Sequence, residues 1–241
     1  MPRFFTGEVD GRSAVITGED ARHIALSLRM KPGEPLTVCD SAGHDYQCVV
    51  EAVDPGRVDL RGEAVAPSAG EPGVEITLYQ ALPKGDKLEM IVQKAVELGV
   101  GRIVPVLTRR CVSRPDEKSM KKKLERLNRI ALEAAKQCGR GRVPPVEPLV
   151  GFEEAVARMK ESPLGIFFYE NADESLKSVL SRRLGGEVSI MVGSEGGFEP
   201  SEAAFAAGNG LLPLSLGSRI LRCETAPLAA ITAILYEAGD I

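Results

Sequence analysis

Two short stretches near the carboxyl end hold the residue types that could do chemistry. The first is Gly193-Ser194-Glu195-Gly196-Gly197-Phe198-Glu199-Pro200-Ser201-Glu202, entered directly from the apolar run 188–192. Three glycines after a buried strand let a backbone pass close to a ligand, and ligands favour the carboxyl ends of parallel strands. Pro200, Ser201 and Glu202 read as a helix start, so a plain strand–turn–helix connection stands beside the ligand-loop reading. No Gly-Lys-Ser/Thr follows and the spacing is not GxGxxG, which excludes a P-loop and a dinucleotide fingerprint. The second stretch is Leu214-Ser215-Leu216-Gly217-Ser218-Arg219-Ile220-Leu221-Arg222-Cys223-Glu224-Thr225-Ala226-Pro227. Two arginines three apart beside a glycine turn suggest an anionic substrate, or pairing with local acids. Glu224 or Thr225 could cap the helix that follows, and Pro227 suits an early helical position.

Other chemistries start from a poor position. His23 and His44 are the only histidines, and either reads most simply as a surface or structural residue. The five cysteines (Cys39, Cys48, Cys111, Cys138, Cys223) are odd in number and contain no CxxC pair. Neither a disulfide framework nor a metal site is expected, and a reducing cytoplasm fits best. No run of 18 apolar residues exists, and the N-terminus lacks a hydrophobic signal core, so neither membrane insertion nor export is expected.

The net charge of −4 hides a strong segregation. Residues 102–142 hold thirteen Lys/Arg against four acids, +9 in 41 residues, which leaves −13 for the other 200. Such a segment suits a polyanion, because neutralised phosphates release counterions. A solvated helix face is the plainer alternative.

The elements that must position these residues alternate in two styles. With 241 residues and 44% hydrophobic content, the chain has room for one or two well-packed domains. Short β-type runs at 13–16, 35–39, 46–53 and 57–65 are separated by turn signals, with a helix at 19–29 that sets Ile24 and Leu28 one turn apart. The Pro/Gly-rich stretch 67–73 marks the boundary. Beyond it, strands at 74–81, 102–106, 164–169, 188–192 and 211–214 alternate with helices at 87–98, 121–138, 153–159, 175–182, 201–207 and 226–238. That order implies a largely parallel α/β sheet covered on both faces.

The two glycine stretches together resemble the cofactor loops of SPOUT-class methyltransferases. More narrowly, the chain resembles the family of ribosomal RNA small subunit methyltransferase E, whose members methylate N3 of a uridine in 16S rRNA. Gln80-Ala81-Leu82-Pro83-Lys84-Gly85-Asp86-Lys87, Gln93 to Val100, Glu133 to Arg140 and His23 to Arg29 carry the likeness across nearly the whole chain. The family often has Pro, Trp and Ser where Ser194, Leu127 and Cys138 stand. The resemblance implies a PUA-like RNA-binding β-barrel domain over 1–67. A SPOUT domain over 74–241 would follow, with a parallel sheet, a C-terminal trefoil knot, bound S-adenosyl-L-methionine and a homodimer across the knot.

On that resemblance, Val192, Gly193, Glu195, Gly196, Gly197, Leu216, Gly217, Ile220 and Leu221 are the cofactor-binding candidates. Glycines there would spare the ligand a Cβ clash, and Gly197→Val is expected to abolish cofactor affinity in a folded protein. Arg222 is expected to stabilise the developing uracil anion or to position a phosphate. Glu224 is expected to take the N3 proton, unless it only caps a helix. Arg109, Arg110, Lys121, Lys122, Arg126, Arg140 and Arg142 are the candidates for contact with 16S rRNA or the small subunit. Arg3, Arg12, Arg22 and Arg29 stand second. The competing readings are a non-catalytic RNA-binding assembly factor and a SPOUT enzyme acting on another nucleotide.

Overall fold

The computed structural model describes residues 1–241. They form two compact units, Met1–Glu71 with Ala135–Val143, and Pro72–Ala134 with Pro144–Ile241.

The first unit is built on a five-stranded sheet of β1 (Arg3–Phe5), β2 (Ser13–Thr17), β3 (Pro35–Cys39), β4 (His44–Asp54) and β5 (Arg57–Pro67), in the order β1-β3-β4-β5-β2. β1 escapes detection in the sequence because it is three residues long. Its continuation meets the opposite edge: Val15 donates its N–H to the Glu8 carbonyl at 3.0 Å, Thr6 Oγ1 donates to the Val15 carbonyl at 2.8 Å, and Val9 bridges Ala14. This joins the two edge strands and leaves little open edge. Phe4, Ile16, Ile24, Leu36, Val38, Val50 and Leu60 fill the interior.

The helix expected at 19–29 takes a different form. α1 (Gly18–Arg22) passes into a π-helical turn, His23–Leu28, which ends at Arg29 with φ +52°. The Ile24 carbonyl accepts the Met30 N–H at 3.1 Å. The wider turn keeps Ile24 buried and turns Leu28 out to 41% exposure, so the two do not share a face.

In the second unit six strands are all parallel in the order β11-β9-β10-β6-β7-β8. They are β6 (Glu75–Ala81), β7 (Arg102–Leu107), β8 (Val150–Gly151), β9 (Gly165–Phe168), β10 (Glu187–Val192) and β11 (Leu212–Leu214). The helices are α2 (Lys87–Leu98), α3 (Glu117–Cys138, which reaches into the first unit), α4 (Phe152–Lys160), α5 (Leu176–Arg183), α6 (Pro200–Gly208) and α7 (Ala226–Ala238). Alternation along β6 sends Tyr79 into a core with Phe152, Met159, Phe167 and Phe198 beneath α4 and α6, and Leu78 to the opposite face. There α7 packs on α2 and β6. α3 starts four residues before the apolar pattern does, because the Asp116 carboxylate accepts the Ser119 N–H at 2.7 Å and caps the first turn. No helix is long and apolar enough to cross a membrane.

Candidate functional site

The carboxyl ends of β9, β10 and β11 open into a cleft of about 920 Å³ in the second unit. Its walls are the loop after β9, from Tyr169 to Ser175, the glycine turn from Gly193 to Gly197, and the loop from Ser215 to Glu224 that leads into α7. All nine cofactor candidates named above line it, and so do Arg222 and Glu224. The first wall and Lys87 were missed in the sequence. The signal available was that 164–169 is a strand of the same parallel sheet, so its carboxyl end belongs to the same crevice.

The glycines are required by the protein itself. A Cβ on Gly193 would stand 3.0 Å from the Gly197 Cα, and one on Gly196 would stand 3.0 Å from the Arg110 Cβ. Gly197 has φ +65° and Gly217 φ +107°, conformations an L side chain rarely adopts. Gly197→Val would therefore strain the loop directly and is not a clean probe of ligand contact, contrary to the expectation above.

The turn is braced from several sides. Arg110 Nε bonds Glu199 Oε1 at 2.9 Å, and its Nη1 donates to the Gly196 carbonyl at 2.9 Å. Glu202, 3% exposed, accepts the N–H groups of Glu199 and Arg109 at 2.9 and 2.8 Å, and so starts α6 with a capping box. Gln80, wholly buried at the end of β6, donates from Nε2 to the Gly193 carbonyl at 3.3 Å.

At the cleft edge Lys87 Nζ lies 2.9 Å from Glu195 Oε1 and 3.2 Å from Glu224 Oε2. Cys223 Sγ donates to Glu224 Oε2 at 3.1 Å. This hydrogen bond, with that of Lys87, holds the Glu224 carboxyl below its ordinary 4.5. Burial, then the Glu224 contact, pushes the Cys223 thiol up to about 12. Glu224 thus caps nothing: Thr225 is the N-cap of α7, without a side-chain bond. An acidified, ion-paired carboxylate is also a weaker proton acceptor than a free one. The Arg222 side chain, by contrast, is exposed and makes no ion pair.

Residues 70–235 match the RNA methyltransferase domain family, and residues 16–61 match the RNA methyltransferase PUA domain. Ribosomal RNA small subunit methyltransferase E of Bacillus subtilis is 35% identical over 228 residues, spanning 92% of this chain and 89% of its own. The chain belongs to the ribosomal RNA small subunit methyltransferase E family. The family member from Mycobacterium tuberculosis is 31% identical over 93% of this chain and 86% of its own. The crystal structure of the Neisseria gonorrhoeae family member bound to S-adenosyl methionine matches with a TM-score of 0.87 at 33% identity, over 97% of this chain and 96% of that one.

The basic candidates fare unequally. Lys121 and Lys122 are exposed on α3, Arg109 is exposed with Nη1 on Ser201 Oγ at 3.1 Å, and Arg126 pairs with Glu89 at 2.7 Å. Arg22 and Arg29 are exposed at the π-helical turn, and Arg142 is exposed in the first unit. Arg110 is committed to the glycine turn rather than to solvent. Arg140 is corrected outright. It is 3% exposed, with Nη2 on Glu71 Oε2 at 2.8 Å, and its carbonyl accepts from Arg3 Nη1 at 3.1 Å. Arg3 also bonds Asp45 Oδ1 at 3.0 Å and Cys39 Sγ at 3.1 Å, and Ser68 Oγ donates to Asp45. Arg140 therefore belongs to an internal network and has no free donors to offer a phosphate.

Proposed function

We propose that this protein transfers the methyl group of S-adenosylmethionine to N3 of a uridine in the 16S rRNA of the small ribosomal subunit. The observation that carries the reading is the cleft itself. Every cofactor candidate taken from two separate stretches of sequence converges on one crevice at the carboxyl ends of three parallel strands, in a chain of this family. Its volume lies within the roughly 300–1,000 Å³ of small-molecule sites. The positive-φ Gly197 and Gly217 turns present bare backbone to it.

S-adenosylmethionine supplies a methyl group already activated as a sulfonium, so the protein must bind, orient and tune. The backbone of Val192, Gly193, Gly196, Gly197, Leu216, Gly217 and Leu221 holds the ligand, with Glu195 and Ile220 on the same loops. Arg222, free of ion pairs, stabilises negative charge on the uracil carbonyls as N3 gives its proton up to solvent water, and transfer of the methyl leaves S-adenosylhomocysteine. Glu224 serves through its ion pair with Lys87 rather than as the base. N3 lies on the Watson–Crick edge, so the uridine is unpaired or extruded when it reacts. Arg109, Lys121, Lys122, Arg126 and Arg142, with Arg22 and Arg29 of the first unit, contact phosphates.

The trefoil knot, the homodimer, the 1–67 and 74–241 domain division and a cytoplasmic location are part of this proposal. α7 follows the edge strand β11 yet packs on the inner strand β6, so the chain must cross back over the sheet. Met90 on α2 and Tyr236 on α7 leave apolar surface exposed, which suits a second copy.

The first test is calorimetric titration of S-adenosylhomocysteine into wild type and Ile220→Asp. Ile220 lines the cleft at 88% exposure, so its replacement cannot disturb a core. Micromolar binding, weakened about tenfold in the variant, is expected. Nucleoside mass spectrometry of 16S rRNA then reads 3-methyluridine. Methylation on a ribose or on another base would overturn the N3 assignment.

A further inference from the structure

Lys87 stands outside both glycine stretches, in the first turn of α2, yet it touches the two loops that they form. Its ammonium is shared between Glu195, in the loop after β10, and Glu224, in the loop after β11. Glu195 also accepts the Lys84 N–H at 3.2 Å, so the β6–α2 connection and the first residue of α2 both grip it. We propose that Lys87 is a positioning residue that ties the two cofactor loops to the rigid start of α2, and so sets the width of the cleft.

Three observations carry this. The loop after β10 is tied by Gln80 at the Gly193 carbonyl and by Arg110 at the Gly196 carbonyl, and between these two ties Glu195 is held only through its own carboxylate, by Lys84 and Lys87. The loop after β11 has its inner end fixed where Ser215 donates to the Glu174 carbonyl at 2.9 Å. From Ser218 to Leu221 no backbone hydrogen bond holds it, until the turn at Arg222–Ala226 begins. Glu224 is therefore the tether at the far end of the least supported segment of the wall. The side chains of Lys87, Glu195 and Glu224 are 33%, 29% and 17% exposed, shielded enough for a shared ammonium to exceed an isolated surface pair. Two carboxylates from different loops would repel one another without the cation between them.

The inference rests on the cofactor reading for its consequence, but its test does not. Hydrogen exchange by mass spectrometry is measured on the protein without ligand. Lys87→Met should speed exchange roughly five- to tenfold at the hydrogen-bonded amides of both loops, Gly197 in the first and Gly217, Thr225 and Ala226 in the second, while β6 and the body of α2 are unchanged. Glu195→Gln should loosen only the first loop and Glu224→Gln only the second, and Lys87→Arg should restore both. Unchanged loop exchange in Lys87→Met, or equal loosening of the whole unit, overturns the proposal. Where Lys87→Met is too unstable to study, the loop-selective pattern of the two glutamine variants decides. S-adenosylhomocysteine titration then asks separately whether loop order is coupled to binding. Loosened loops in a protein whose wild type binds nothing would refute the cofactor reading and leave the tether intact.

Discussion

Two clusters of similar composition do opposite work in this molecule. In the first unit Arg3 and Arg140 meet Asp45 and Glu71 beside a thiol, Cys39. In the second, Lys87 meets Glu195 and Glu224 beside a thiol, Cys223. In the first, every charge is spent inward, and the arginine at its centre is 3% exposed. In the second, the cluster sits at the lip of a cleft, one residue from an arginine with no partner. A cation's role is set by whether solvent reaches it, not by the basic segment it belongs to. Arg140 and Lys121 share one basic run in the sequence, and only the second can meet a phosphate.

The largest effect expected is at the buried cluster. Arg140→Ala strands Glu71 without its ion pair and should cost about 3–5 kcal/mol of stability, read as a fall in Tm. The affinity of the remaining folded protein for S-adenosylhomocysteine should hold. A wild-type Tm in this variant would erase the distinction between the clusters. Next, Arg222→Ala should lower methyl transfer by about 10²-fold with Tm and S-adenosylhomocysteine affinity unchanged, since its side chain supports nothing in the fold. Unchanged turnover would remove Arg222 from the chemistry. Smaller again, Lys121→Gln with Lys122→Gln should weaken binding of a 16S rRNA fragment and reduce the slope of log K against log salt by about 2. An unaltered slope would take α3 off the RNA face.

The smallest effect is shared by both clusters. Burial is the main force pushing Cys39 and Cys223 up to about 12, from an ordinary 9.0. The unfolded chain releases these protons first, so stability is full below about pH 9 and falls as pH rises towards 12. Urea midpoints measured from pH 8 to pH 10.5 should decline, and Cys223→Ala should flatten part of that decline. No decline at all would mean that neither thiol is shielded.

Much of this was legible in the sequence, for identifiable reasons. The helix Lys87–Leu98 and the strand Pro35–Cys39 appear with the bounds that their periodicity and flanking turns predict. The cleft was legible in part: glycine turns after apolar strands fit a ligand loop or a plain connection equally, and the resemblance of the two stretches to cofactor loops set them on one site. What stayed hidden depends on partners far apart in the chain. Arg140 is withdrawn from solvent by Glu71, 69 residues away. Glu224 is paired with Lys87, 137 residues away. The π-helical turn was invisible because Ile24 and Leu28 fit an ordinary helical spacing, and only the bond from the Arg29 N–H to the Ile24 carbonyl, one residue wider than α-helical, reveals the extra width.

The crowding around the glycines reaches beyond this protein. Gly193 is needed by the Gly197 backbone, Gly196 by Arg110 and Gly197 by its own dihedral angle, all before any ligand arrives. A descendant that had lost its catalytic role and survived only as a scaffold would still be selected to keep all three. The Arg222 backbone carries the turn into α7, but its exposed side chain makes no ion pair and would be the first to drift. The glycine turn thus answers first to the packing of its own loop, and the Arg222 side chain answers to no such demand.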